Sequence, residues 1–115
     1  MSLSLEAIGE IDHIVGQWCL NRVPPPLKHK LDYDYEIDGQ AVTLLEVRPV
    51  WRGPPGKTTR SPIARIRYVH VRGCWKIFWM RRNMKWIAYE PDPEARSLPE
   101  ALAVIERDDY CCFFG

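Results

Sequence analysis

Leu31, Tyr33, Tyr35 and Ile37 alternate with Asp32, Asp34, Glu36 and Asp38. Strict period two is the mark of a half-buried strand, because only a pleated chain sends every second side chain to the same face. The apolar face of such a strand needs a core beneath it, and its other face carries a row of carboxylates. Asp38-Gly39 follows directly and is a strong hairpin turn signal. The return strand then runs from about Gln40 to Arg48 and stops at Pro49, which has no N–H to give to a ladder. The rest of the chain has to supply partners for this hairpin and cover for its apolar side.

Further strands follow. Ile63 to Val71, Cys74 to Met80 and Met84 to Glu90 are separated by turns at Arg72-Gly73 and Arg81 to Asn83. Consecutive short connections predict an antiparallel meander. Before the hairpin, Leu5, Ile8, Ile11, Val15, Trp18 and Cys19 recur at three- and four-residue steps, the period of an amphipathic helix. Ser2 or Ser4 can cap it, and Pro24 to Pro26 end it. After the sheet and the Pro91-Asp92-Pro93 break, Ser97-Leu98-Pro99-Glu100 reads as a capping box opening a second, short helix. The predicted fold is α+β: a five-stranded antiparallel meander sheet with an N-terminal helix and a short C-terminal helix. Residues 1–115 form a single domain, long enough to bury roughly two-thirds of the unfolded surface. The expected core is Leu5, Ile8, Val15, Trp18, Tyr33, Tyr35, Ile37, Leu45, Val47, Ile66, Tyr68, Trp75, Ile77, Trp79, Trp86, Leu102 and Ile105.

Charge is distributed unevenly. Val47 to Tyr89 holds eleven of the 16 Lys and Arg residues and no Asp or Glu, so all 15 acidic residues lie outside it. Asymmetry of this size points to a polyanion-binding face, or to two parts of one chain that pair with each other. The first residues lack a basic stretch followed by an apolar run, and no apolar run approaches a membrane span. The four cysteines, at 19, 74, 111 and 112, have no disulfide-framework spacing. These features lead us to expect a cytoplasmic protein with reduced thiols and no membrane partner.

Leu44-Leu45-Glu46-Val47-Arg48-Pro49 with Trp51, then Trp75-Lys76-Ile77-Phe78-Trp79, then Lys85-Trp86 with Tyr89-Glu90-Pro91, and last Cys112-Phe113-Phe114-Gly115, form a recognisable series. The chain resembles a family of short bacterial proteins catalogued only as a domain of unknown function. The likeness runs from about Leu31 to Gly115. In that family the tail reads glycine then cysteine before the two phenylalanines, and here Cys111 stands in the glycine's place. The resemblance implies one compact domain and supplies no activity, cofactor or site residue.

The residues themselves point first to nucleic-acid binding, RNA or DNA, without catalysis. Lys and Arg meet phosphates, aromatic rings meet unstacked bases, and a twisted antiparallel sheet is a recurrent platform for both. The expected phosphate contacts are Arg52, Lys57, Arg60, Arg65, Arg67, Arg81 and Arg82, with Trp51 for stacking. Trp51, Arg52, Lys57 and Arg60 belong to an expected loop from Pro49 to Pro62. Arg65, Arg67, Lys76 and Lys85 are expected to share a sheet face with Phe78 and Tyr89. Against this, Asp32, Asp34, Glu36 and Asp38 can neutralise the arginines if they share that face.

The alternative is a protein-binding or homodimeric regulator, with complementary charges docking a partner or a second copy and the Phe113-Phe114 tail as an anchor. For that tail, packing on the domain's own sheet is the favoured expectation. A third reading is a divalent-metal-dependent nuclease built on Asp38, Glu46 and Arg48. It departs from the usual pattern, because arginine cannot act as a base where lysine can. Adjacent Cys111 and Cys112 lack zinc-finger spacing. No phosphate loop, dinucleotide fingerprint or nucleophile beside a histidine is recognisable, and the leading reading calls for no cofactor.

Overall fold

The hairpin seen in the sequence is the first of the sheet. A computed structural model describes residues 3–50, 53 and 56–114. Strand β1 (Asp32–Asp38) pairs antiparallel with β2 (Ala41–Pro49), with Asp38 opposite Ala41. Gly39 takes φ 60° at the first of the two loop positions, a conformation that costs glycine nothing. Three more strands, β3 (Thr58–Val69), β4 (Cys74–Met80) and β5 (Trp86–Ala88), continue the sheet in the order β1-β2-β3-β4-β5. The expected antiparallel meander is therefore present, framed by helices α1 (Leu5–Arg22) and α2 (Leu98–Arg107).

Three boundaries differ from expectation. The loop after β2 is shorter than predicted, because Thr58 to Pro62 belongs to β3 and pairs with Leu45 to Pro49. The register shifts at Leu44/Leu45. A bulge of this kind is where an interior strand tolerates a proline such as Pro62. Strand β5 is short, because the chain turns right after Tyr89, where the Asp92 N–H bonds the Tyr89 carbonyl at 3.2 Å. The Pro91-Asp92-Pro93 break is followed by a two-residue strand, β6 (Glu94–Ala95), which pairs with the first half of β4.

Both helices lie on one face of the sheet. Ile11, Val15 and Cys19 of α1 and Ala101, Leu102 and Ile105 of α2 share one apolar cluster with Val42, Leu44, Ala64, Ile66, Trp75 and Ile77. Each fully buried aliphatic side chain there contributes roughly 1.5–3 kcal/mol. Ser4 caps α1 by accepting from the Ala7 N–H, and Val23 with Pro24 closes it. Ser97 caps α2 by accepting from the Glu100 N–H, while the Glu100 carboxylate accepts from the Arg96 N–H.

Leu5 does not join this core and is 88 % exposed. At 3.6 residues per turn its direction lies about 80° from that of Val15. Helix α1 is fastened to the edge strand by the Tyr35 hydroxyl, which donates to Asp12 at 2.7 Å. That bond, with burial, pushes the phenol up to about 12. The Tyr35 side chain lies over Gly16, close enough that a Cβ there would touch it at an ordinary van der Waals distance of 3.7 Å.

The C-terminal tail folds back onto its own domain, as favoured from the sequence. Phe113 packs on Tyr89 with ring centres 4.8 Å apart, and Phe114 meets Tyr33 edge-on at 6.0 Å. Asp108 ends α2 in the left-handed region at φ 44°. Its carboxylate then accepts from the Phe113 and Phe114 N–H groups at 3.0 and 2.9 Å. Cys111 makes a tight turn in the left-handed region, at φ 56°, its N–H bonded to the Asp108 carbonyl. Arg22 closes this corner, with its guanidinium 4.2 Å from the Phe114 ring centre and within 5.5 Å of those of Trp18 and Tyr33.

Candidate nucleic-acid interface

Pairing register assigns every strand residue to a face, because directly opposed residues point the same way. On the helix-free face β1 contributes Asp32, Asp34, Glu36 and Asp38, and β2 contributes Ala41, Thr43, Leu45 and Val47. Beside them β3 places Arg60, Arg65 and Arg67. Arg65 is opposite Phe78 and Arg67 opposite Lys76, so β4 continues the face. Trp86 is opposite Met80 and Ala88 opposite Phe78, so β5 completes it. Glu94 of β6, opposite Lys76, closes one corner.

The acidic row and the basic row thus share this face, with β2 between them. Arg60 spans the gap, donating to Asp34 at 2.7 Å and to Glu36 at 3.4 Å. These contacts, with the Asp34 bond foremost, hold its guanidinium even more firmly protonated than usual. Beneath the crossing lies Leu45, opposite Asp34 and only 5 % exposed although it faces away from the helices. Asp32 pairs instead with Lys28 at 3.1 Å.

Two other residues of the acid-free segment also find carboxylates. Arg48 pairs with Glu46, and Arg72 pairs with Glu94 at 2.9 Å. Lys57, Arg65, Arg67, Lys76, Arg81, Arg82 and Lys85 form no ion pair among the described residues. All of them are exposed except Arg65, which is half-buried.

Of the residues expected to form the site, Arg65 and Arg67 lie side by side on the face. Arg60 is on the same strand but already bridged to acids. Lys57 immediately precedes β3, while Arg81 and Arg82 sit in the turn between β4 and β5. Arg81 lies 6.0 Å from the Trp79 ring centre. Trp51 and Arg52 lie outside the described residues. Tyr89, expected on the basic face, is 2 % exposed within the core. Lys85 is in the turn before β5 rather than on the face.

Lys76 and Phe78 share the face with Arg65 and Arg67, as expected, and the register adds Trp86. Phe78 was legible, since Trp75, Ile77 and Trp79 face inward and leave Lys76 and Phe78 outward. Trp86 was expected in the core. The connection from Met80 sets it opposite that outward residue, while Ile87 pairs with inward-facing Trp79.

The remaining candidates are not brought together. Asp38 lies at the turn end of the hairpin on the helix-free face, whereas Glu46, opposite Tyr33, lies toward its other end on the helix side. Glu46 and Arg48 pair with each other instead. No group of three or more His, Cys, Asp or Glu side chains converges on a possible metal position among the described residues. Cys19 and Cys74 are buried and Cys111 is exposed, all as free thiols. Burial, aided by Asp34 and Asp32, pushes the Cys19 thiol up to about 12. Among the described residues no helix is long and apolar enough to cross a membrane.

A family model described as "Domain of unknown function (DUF3024)" matches residues 4–115, and the chain belongs to that family. No curated protein and no solved structure matches the chain.

Proposed function

Starting from that family membership, which assigns no activity, we propose that the protein is a non-enzymatic nucleic-acid-binding accessory protein. Its binding surface is the helix-free face of the sheet, extended by the turn at Arg81-Arg82 and by Lys57. One observation supports this reading above the others. Arg65, Arg67 and Lys76 are neighbours on an uncovered face and have no carboxylate partner among the described residues. A surface of this kind attracts phosphates and gains from counterion release when it meets them. In this reading the protein works in the cytoplasm with reduced thiols and needs no cofactor.

The test is binding of labelled single- and double-stranded RNA and DNA over a salt series, with Mg2+ and with chelator. Affinity that falls steeply with salt, is independent of Mg2+, and weakens on Arg65→Ala with Arg67→Ala supports the proposal. Binding that those substitutions leave unchanged removes these residues from the site.

A second reading is a homodimeric or protein-binding regulator. The bridge from Arg60 to Asp34 and Glu36 favours it, because it shows that the acidic row of this chain accepts arginine. A second copy can make the same kind of pair in an isologous contact. A solution mass that doubles with concentration and drops with salt is its signature.

A further inference from the structure

We infer that the ligand of the helix-free face is a single strand, with one base stacked on Phe78 and a neighbouring base on Trp86. The inference rests on the nucleic-acid reading above and deepens it. Phe78 and Trp86 are diagonal neighbours across β4 and β5, since Phe78 opposes Ala88 and Met80 opposes Trp86. Diagonal positions on one face are about 7–8 Å apart. Neither ring is among the residues packed on the apolar core, and both are half-buried rather than covered. Among the described residues the two rings stack neither on each other nor on another aromatic ring.

Charge gives the strand its position. Arg65 stands directly opposite Phe78, and Arg67 and Lys76 lie one step further along the same strands. These cations lie beside Phe78 on β3 and β4, the combination of positive charge and stacking rings that single-strand sites use. The β1 side of the face is closed to phosphate by Asp34, Glu36 and Asp38, of which the first two are only offset by Arg60. Glu94, held by Arg72, closes the corner beyond Lys76. The open basic strip is therefore limited to β3, β4 and β5. A duplex keeps its bases stacked inside and presents two phosphate backbones, one of which would meet the acidic row. A single strand offers both things this strip can bind, a phosphate backbone and unstacked bases.

The experiment compares labelled oligo(dT) and oligo(rU) with blunt duplexes of the same length, by anisotropy over a salt series. The proteins are the parent chain and its Phe78→Leu, Trp86→Leu and Arg65→Ala variants, each checked for a cooperative melt. Leucine keeps apolar bulk and removes the ring. Single strands are expected to bind at least about tenfold tighter than duplexes. Each ring loss should weaken single-strand binding roughly 5- to 150-fold at unchanged salt slope. Arg65→Ala should reduce the slope itself. Equal affinity for duplex and single strand, with both leucine variants unaffected while Arg65→Ala still weakens binding, overturns the stacking inference and leaves the basic-face reading standing. No binding to any of these probes at low salt overturns both.

Discussion

Arg60 on β3 and Asp34 on β1 meet across an intervening strand, nitrogen to oxygen at 2.7 Å. Their bridge marks the border on the helix-free face between an acidic half over β1 and a basic half carried by Arg65 and Arg67 of β3 and Lys76 of β4. Both partners are substantially solvent-exposed, so the bridge itself adds little stability. Its main effect is on where negative charge can approach.

Removing the acidic row should therefore strengthen binding. Asp34→Asn with Glu36→Gln frees the Arg60 charge and takes away the repulsion beside it. The expected outcome is tighter binding of a single-stranded oligonucleotide, with a salt slope steeper by about 0.7 for the one added phosphate contact. Stability measured in urea should change by less than about 1 kcal/mol.

Cys111 holds a backbone conformation that suits glycine, at φ 56°, and its side chain is exposed. Left-handed backbone costs a non-glycine residue about 1–2 kcal/mol, part of which glycine returns through its freer unfolded chain. Cys111→Gly should raise stability by about 0.5–1 kcal/mol in chemical denaturation. Cys111→Val, branched at Cβ, should lower it.

The Asp108 carboxylate holds two backbone N–H groups of the tail. Hydrogen bonds to a charged acceptor contribute about 1.5–3 kcal/mol. Asp108→Ala should cost about that much. It should also selectively abolish hydrogen-exchange protection of the Phe113 and Phe114 amides, with the α1 amides less affected.

Alkaline pH should weaken the fold through two groups. The Cys19 thiol is raised by burial from its ordinary 9.0 to about 12, and the Tyr35 hydroxyl, through its bond to Asp12, from 10.0 to about 12. The folded state holds both protons more tightly than the unfolded chain does. Their contribution is complete below pH 9 and is lost as pH climbs toward 12. Urea midpoints should fall over that range. The fall should be shallower in Tyr35→Phe, whose ring cannot ionise.

Much of the fold was legible because its signals are local. The alternation from Leu31 to Asp38, the Asp38-Gly39 turn and the Ser97 capping box each depend on a few adjacent residues, and each element is present. Errors arose where a distant partner decides. Pro62 reads as a breaker until Leu45 is placed opposite it at a bulge. Tyr89 reads as a residue of the basic face only while Trp86 is read as inward; with Trp86 and Ala88 outward, alternation sends Tyr89 into the core against Phe113. Leu5 fits a three- and four-residue spacing, yet drifts off the buried stripe over the length of α1.

The candidate site was legible only in part, for a related reason. An acid-free run of basic residues shows in the sequence, but which cations remain unpaired depends on Asp34 and Glu36 arriving two strands away. The separation of Asp38 from Glu46 could have been read from the hairpin. Once Asp38 opposes Ala41, parity alone sends Glu46 to the other face. The place of Trp86 could not be read in this way, because it depends on the geometry of the Arg81 to Lys85 connection.

The most direct measurement is the salt dependence of single-strand binding for the parent protein and a variant carrying Arg65→Ala, Arg67→Ala and Lys76→Ala. The account predicts salt-sensitive binding by the parent. It predicts weaker binding by the variant, with a slope smaller by about 2, the loss of three phosphate contacts. A folded variant that binds with the parent's affinity and slope would contradict the account and place the nucleic-acid contacts, if any, elsewhere on the chain.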